Sequence, residues 1–135
     1  TDSKTGERTM IEPEPLRKLP WKQQNIDTIK KAMVGVNTEG TGARAFAGAE
    51  YVSCGKTGTA ENPRGRDHST FLSFAPKDNP KIAISVYVEN GGFGASAALP
   101  IASLLEEYYL TDTVTRPWLV EMVKQKTIYY PAYGK

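Results

Sequence analysis

One stretch decides how this chain is organised: Tyr51-Val52-Ser53-Cys54-Gly55-Lys56-Thr57-Gly58-Thr59-Ala60. Its first three residues favour a β-strand, and Gly55 and Gly58 let a second backbone or a ligand approach closely. Lys56 offers a positive charge, Thr57 and Thr59 offer hydroxyl groups, and Gly58 leaves neighbouring backbone N–H groups uncovered. The stretch therefore predicts a site beside a strand edge that holds a carboxylate or a developing oxyanion.

Two more strands are predicted downstream, and together they form a hairpin. They cover residues 70–75 and 81–89, and the turn between them contains Pro76 and Pro80. The second strand alternates between two faces, as expected when one face is buried. One face carries Ile82, Ile84, Val86 and Val88, and the other carries Ala83, Ser85 and Tyr87. A strand at about residues 50–57 would precede these two strands.

Helical patterns flank these strands, so the predicted fold class is α+β. One helix is expected from about residue 21 to residue 34, with Gly35 near its end, and another from about residue 97 to residue 110. In the second helix the predicted core face carries Leu99, Ala102, Leu105 and Tyr109. Glu106 and Glu107 are interpreted as a pair on the helix surface and not as a catalytic dyad.

The remaining segments are predicted to be loops or termini. Residues 37–48 are an expected loop, and residues 61–67 are either a solvated turn or a rim that meets a peptide substrate or a partner. The predicted division is an extended lead (1–20), a folded portion (21–110) and a C-terminal tail (111–135). Within the tail a short helix is expected over residues 116–124, and the aromatic run 129–133 either packs on the domain or reaches a partner.

Composition excludes several classes of function. The chain of 135 residues is 39% hydrophobic and carries a formal net charge of +2, too small to argue for nucleic acid or an anionic membrane. Cys54 is the only cysteine, so no internal disulfide forms, and it is expected to be a small core residue. His68 is the only histidine, which leaves no Cys/His zinc site. No metal or other cofactor is expected.

Three segments resemble one protein family. Residues 56–60, Lys-Thr-Gly-Thr-Ala after a strand, resemble the third motif of the class B penicillin-binding proteins, which are bacterial D,D-transpeptidases. Residues 68–76 and 80–92 resemble the two strands that follow that motif, and residues 29–36 resemble the helix before it. The elongation-type enzyme, penicillin-binding protein 2, is the most similar group. The resemblance implies a fragment of the β-lactamase-like transpeptidase fold, with a three-stranded antiparallel sheet flanked by helices.

The resemblance also implies a role for each residue of the motif. Lys56 would supply positive potential near the substrate carboxylate, Thr57 and Thr59 would bind that carboxylate, and Gly58 would line the same site. The backbone N–H of Thr59 would be one donor of the oxyanion hole. The implied ligands are peptidoglycan stem peptides ending in D-Ala-D-Ala, and β-lactams. The parent protein would be anchored in the bacterial inner membrane, with this domain on the periplasmic side.

The chain lacks two parts that the family requires. These are a serine nucleophile with a lysine one helical turn later, and a Ser-x-Asn motif, which occurs nowhere in this sequence. Ser53 and Lys56 have the Ser-x-x-Lys spacing, but residues three apart on a strand point to opposite faces. Ser3-Lys4-Thr5-Gly6 is a second chance match, because no strand pattern precedes it. We therefore expect an excised C-terminal part of a transpeptidase domain, inactive alone.

Two other functions compete with this interpretation. Gly55-Lys56-Thr57 imitates the end of a phosphate-binding loop, but that motif needs a glycine where Glu50 stands and a helix where Pro63 and Gly65 stand. A non-catalytic interaction module that keeps the fold without the chemistry is the other alternative.

One partner is predicted from the sheet itself. In the family, the strand at 81–89 lies beside a strand that would come from upstream sequence, so its edge is open here. Two copies are predicted to pair through this edge as a homodimer, unless the lead or the tail covers it.

Overall fold

The computed structural model describes residues 2–10, 12 and 14–128. Its helices are α1 (Gln23–Thr38), α2 (Ala43–Phe46), α3 (Ala98–Thr111) and α4 (Pro117–Lys124), and its strands are β1 (Cys54–Ala60), β2 (His68–Ala75) and β3 (Ile82–Val88). A short 3₁₀ turn, Gly94–Ser96, precedes α3. The strands form one antiparallel sheet in the order β1-β2-β3. The predicted α+β fold with a three-stranded antiparallel sheet flanked by helices is confirmed.

Strand β1 begins later than its residue types indicate. Residues 51–53 lead into the strand, and the ladder to β2 runs from Cys54, opposite Phe74, to Ala60, opposite His68. The backbone of Val52 instead accepts a hydrogen bond from the N–H of Lys77 at 2.8 Å, just beyond the end of β2. Because pairing with β2 decides where β1 lies, the whole Lys-Thr-Gly-Thr motif is inside the strand and does not follow it.

Strand β3 alternates as predicted. Its four β-branched residues are partly buried, and Ala83, Ser85 and Tyr87 are exposed. Ile84, Val86 and Val88 pack against the core, whose buried members come from α2, β2, α3 and α4. These members are Ala45, Phe46, Phe71, Ala98, Leu99, Ala102 and Leu119. The core therefore lies on one face of the sheet, beneath α3.

The segment before β1 is more helical than predicted. Helix α1 runs three residues past Gly35, to Thr38, and α2 occupies part of the region predicted to be a loop. Asn37 in the last turn is buried, and its side chain donates a hydrogen bond to the Ser53 hydroxyl. Such tertiary contacts override the weak preference of a glycine to end a helix.

The buried face of α3 differs from the predicted one. Leu99 and Ala102 are buried as expected, but Leu105 and Tyr109 are about half exposed, at 49% and 59%. Glu106 and Glu107 are 0% and 3% exposed. Their interpretation as a surface pair was wrong: both side chains are buried, and Glu107 pairs there with Arg116 and Thr115.

No described helix is long and apolar enough to cross a membrane. The lead contains turns but neither helix nor strand over its described residues, 2–10, 12 and 14–20. The predicted tail helix is confirmed as α4. The aromatic run 129–133 lies outside the described residues, and the division into 1–20, 21–110 and 111–135 stays a prediction.

Candidate active site

The Lys-Thr-Gly-Thr motif lies on β1, an outer strand of the described sheet. The Lys56 side chain is exposed, and its Nζ donates a hydrogen bond to the backbone oxygen of Thr57 at 2.6 Å. Because β1 pairs with a strand on one side only, backbone N–H and C=O groups on its other side have no strand partner in the described part of the chain. The motif thus presents a cation, two hydroxyl groups and backbone donors at one edge.

Close backbone packing holds the middle of the motif. A Cβ atom on Gly58 would lie 2.3 Å from Thr70 Oγ1, and one on Gly94 would lie 2.5 Å from the backbone oxygen of Gly58. The N–H of Gly94 also donates to Thr59 Oγ1 at 3.4 Å. The close approach predicted for Gly58 is confirmed: the Thr70 side chain on β2 occupies the space of its missing Cβ, and the 3₁₀ turn before α3 approaches its backbone.

Ser69 joins this turn to the sheet, and sequence reasoning missed it. It lies opposite Thr59 in the ladder and is fully buried. Its hydroxyl donates to the backbone oxygen of Phe93 at 2.9 Å and accepts from the N–H of Ala98 at 2.9 Å. Helix α3 has no side-chain cap of its own at its N-terminus, so Ser69 supplies one from the sheet. The alternation of Ser69, Phe71 and Ser73 was the available signal that this serine faces inward.

The loop at 61–67 is fastened at both ends. The Asn62 side chain donates to Asn90 Oδ1 at 2.9 Å, and its backbone N–H donates to Asp67 Oδ1 at 3.2 Å. On the neighbouring corner the N–H of Asn90 donates to His68 Nδ1 at 3.1 Å. These contacts connect the loop after β1 to the corner after β3. The role of the 61–67 loop as a rim that meets a substrate or a partner stays a prediction.

Ser53 and Lys56 do not form a catalytic pair in this structure. Ser53 lies just before β1 and is buried, with its hydroxyl accepting from Asn37 Nδ2 at 3.0 Å, whereas Lys56 points to solvent. The predicted separation holds, although Ser53 precedes the strand and is not within it.

Cys54 is the core residue that was predicted. It is fully buried, and its Sγ lies 3.7 Å from the backbone oxygen of Lys30. Burial raises the pKa of the thiol, with the positive charge of Lys30 opposing this weakly, so the reactive thiolate is disfavoured. No group of three or more His, Cys, Asp or Glu side chains suited to a metal ion occurs within residues 2–10, 12 and 14–128.

Comparison with known proteins places this geometry in one family. The model of the penicillin-binding protein transpeptidase domain matches residues 2–105. The peptidoglycan D,D-transpeptidase MrdA of Haemophilus influenzae is 39% identical over an alignment of 103 residues, and the match covers 64% of this chain and 16% of that protein. The chain therefore spans about a sixth of the length of this curated relative.

Two solved structures show the same fold. Pseudomonas aeruginosa PBP2, crystallised in complex with WCK 5153, aligns with a TM-score of 0.61 and 28% identity, covering 89% of this chain and 25% of that one. Penicillin-binding protein A of Mycobacterium tuberculosis, as an imipenem acyl-enzyme, aligns with a TM-score of 0.54 and 33% identity, covering 65% of this chain and 20% of that one. The resemblance to the penicillin-binding protein 2 group is confirmed, and the chain belongs to the penicillin-binding protein transpeptidase family.

Proposed function

We propose that this chain is the part of a peptidoglycan D,D-transpeptidase that binds the substrate carboxylate and stabilises the oxyanion. The observation that carries the proposal is the position of Lys56, Thr57 and Thr59 on the outer strand β1, with Lys56 exposed and Gly58 packed tightly from behind. A cation and hydroxyl donors on a rigid strand suit an anion that must be held in one place.

The motif residues divide the work between them. Lys56 supplies positive potential to the carboxylate at the end of a D-Ala-D-Ala stem peptide, and the Thr57 and Thr59 hydroxyl groups donate hydrogen bonds to it. Gly58 keeps the strand free of a side chain at that point. The backbone N–H of Thr59 faces the carbonyl oxygen, where negative charge develops as the acyl bond is attacked.

A serine outside these 135 residues supplies the covalent step. Its oxygen attacks the carbonyl of the penultimate D-alanine, the bond to the last D-alanine breaks, and that D-alanine leaves as the free amino acid. An amine from a neighbouring stem peptide then attacks the acyl-enzyme, forms the cross-link and releases the serine. β-Lactams imitate D-Ala-D-Ala and remain attached to the serine. The Mycobacterium tuberculosis relative was solved as an imipenem acyl-enzyme complex, which supports this route.

The chain alone is expected to be inactive, because the family's serine and Ser-x-Asn motifs are absent from it. Intact-mass spectrometry after incubation with a fluorescent penicillin tests this. We expect one adduct on the full-length protein that contains this chain and none on the 135 residues alone. An adduct on Ser53 of the isolated chain would contradict the assignment, and no adduct on the full-length protein would favour a non-catalytic interaction module.

The cellular location of the parent protein is inferred from the family. We place this domain on the periplasmic side of the inner membrane, where peptidoglycan and β-lactams are accessible.

The open edge of β3 is the proposed surface for a second copy. Its outer side has no strand neighbour among the described residues, and its exposed face carries no charge between Ile82 and Val88. Sedimentation velocity at micromolar concentration tests pairing of the isolated chain, and a monomer of 14.8 kDa would contradict it.

A further inference from the structure

Asn37 is a buried residue in the last turn of α1, and its side chain contacts a residue outside that helix. It is 3% exposed, its Nδ2 donates to Ser53 Oγ at 3.0 Å, and its Oδ1 has no hydrogen-bond partner in the described structure. Burying a polar group without full compensation is unfavourable. The Ser53 contact satisfies the amide nitrogen but not the amide oxygen.

The amide lies in a gap between two glycines. A Cβ atom on Gly42 would lie 2.6 Å from Asn37 Oδ1, and one on Gly55 would lie 2.8 Å from Asn37 Nδ2. Gly55 immediately precedes Lys56, and Gly42 is in the turn that follows α1. The N–H of Gly42 also donates to the backbone oxygen of Val36 at 2.8 Å, which fixes that turn against the helix. Asn37 thus lies between the turn at residues 39–42 and the motif strand.

The turn carries a hydroxyl group to the motif. Thr41 Oγ1 lies 3.4 Å from Thr57 Oγ1, longer than the usual distance of about 2.5–3.0 Å between hydrogen-bonded hydroxyl oxygens, and either oxygen could be the donor. A hydroxyl group has one proton to donate and two lone pairs that accept. If Thr41 donates to Thr57, the proton of Thr57 is left to point away from Thr41, towards a bound anion.

We propose that Thr41 is a positioning residue that directs the Thr57 proton to the substrate carboxylate, and that Asn37 holds Thr41 in place. The inference rests on the proposed function, because the hydrogen bond from the Thr57 hydroxyl forms only when a substrate carboxylate is bound. It adds two residues from the α1–α2 region to a site that the motif alone does not complete.

The test measures acylation of the full-length protein by a fluorescent penicillin, with binding separated from the chemical step. Thr41→Val removes the hydroxyl and keeps the shape, and we expect a three- to tenfold weaker initial binding with little change in the rate of acylation once bound. Thr41→Ser keeps the hydroxyl and should stay within twofold of the wild type. Thr38→Val is the matched control, because the Thr38 hydroxyl donates to Val34 within α1 and does not contact the motif.

A double variant tests whether Asn37 acts through Thr41. Asn37→Ala should weaken binding to a similar extent, and Asn37→Ala with Thr41→Val should bind no worse than Asn37→Ala alone. Unchanged binding in Thr41→Val, or effects that multiply in the double variant, would overturn the inference and leave the proposed function standing. A wild-type protein that is not acylated would overturn the proposed function and the inference with it.

Discussion

Two adjacent glutamates on α3 are equally buried and have opposite surroundings. Glu107 Oε2 lies 3.2 Å from Arg116 Nη2, and its Oε1 accepts from the Thr115 hydroxyl at 2.6 Å. Glu106 makes no salt bridge with any described residue, and only the charge of Arg116, farther away, acts on it. Neither of its oxygens has a hydrogen bond of good geometry, although the hydroxyl groups of Ser73 and Ser53 lie close. Low solvent exposure alone therefore does not decide how each carboxyl group behaves.

The pKa values of the two groups move in opposite directions. Burial raises the pKa of Glu106, and the hydroxyl groups of Ser73 and Ser53 only partly oppose this. Burial also acts to raise the pKa of Glu107, but hydrogen bonds from Thr115 and Arg116 and the charge of Arg116 outweigh it and lower the pKa. The comparison shows that hydrogen bonds and a charged partner can outweigh the loss of water around a buried carboxyl group.

Glu107 and its partner Arg116 connect three helices. Arg116, at the start of α4, donates to the backbone oxygen of Ala45 in α2 and, from Nη1, to the Ser103 hydroxyl in α3 at 2.8 Å. Glu106 faces the region behind the motif, where Ser53 accepts the hydrogen bond from Asn37. Glu107 thus connects the helices through Arg116, whereas Glu106 faces the serine side chains near the motif.

Arg116→Ala should have the largest effect, because it leaves the Glu107 carboxylate buried without its partner. We expect about 3–5 kcal/mol less free energy of unfolding for the isolated chain in urea. Lys124→Ala is the matched control, since Lys124 pairs with Glu121 on the surface and such pairs contribute about 0–1 kcal/mol. Equal losses in the two variants would mean that the buried pair is no stronger than the exposed one.

Glu107→Gln should have a smaller but still clear effect. The amide keeps an acceptor for Thr115 but leaves Arg116 as an uncompensated buried charge, so we expect a loss of about 2–3 kcal/mol in the same urea experiment. Glu106→Gln makes the same replacement of a carboxyl group by an amide in the adjacent residue. It should alter the free energy of unfolding by less than about 1 kcal/mol near pH 5. A larger loss in Glu106→Gln than in Glu107→Gln would reverse the comparison.

The pH dependence of stability should separate the two acids with the smallest effect. A raised pKa means that the contribution of Glu106 is complete below the unfolded value of 4.5 and is lost as the pH rises through its folded pKa. The lowered pKa of Glu107 gives a contribution present above 4.5 and lost as the pH falls through its folded pKa. Glu106→Gln should therefore gain stability relative to the wild type as the pH rises from 4.5 towards the folded pKa of Glu106, by at most about 1.4 kcal/mol per pH unit. A constant difference across that range would show that Glu106 does not titrate there.

The sequence predicted those parts of the molecule that depend on neighbours along the chain. The alternation of β3 and the Lys-Thr-Gly-Thr segment are local patterns, and the fold class follows from them. The start of β1 was missed because pairing with His68–Ala75 decides it, and α1 continues past Gly35 because Asn37 has a partner 16 residues away. The burial of Glu106 and Glu107 was missed for the same reason, since Arg116 and the two serines are distant in sequence.

The central claim is that the motif on β1 forms the carboxylate and oxyanion part of a transpeptidase site. The most direct test is the acylation rate of the full-length Lys56→Ala variant with a fluorescent penicillin, with its melting temperature as the check on folding. Lys81→Ala is the matched control, because Lys81 is exposed beside the start of β3 and lies outside the motif. We predict a rate about 10²–10³ times lower for Lys56→Ala and an unchanged rate for the control. A folded Lys56→Ala protein that is acylated at the wild-type rate would contradict the claim.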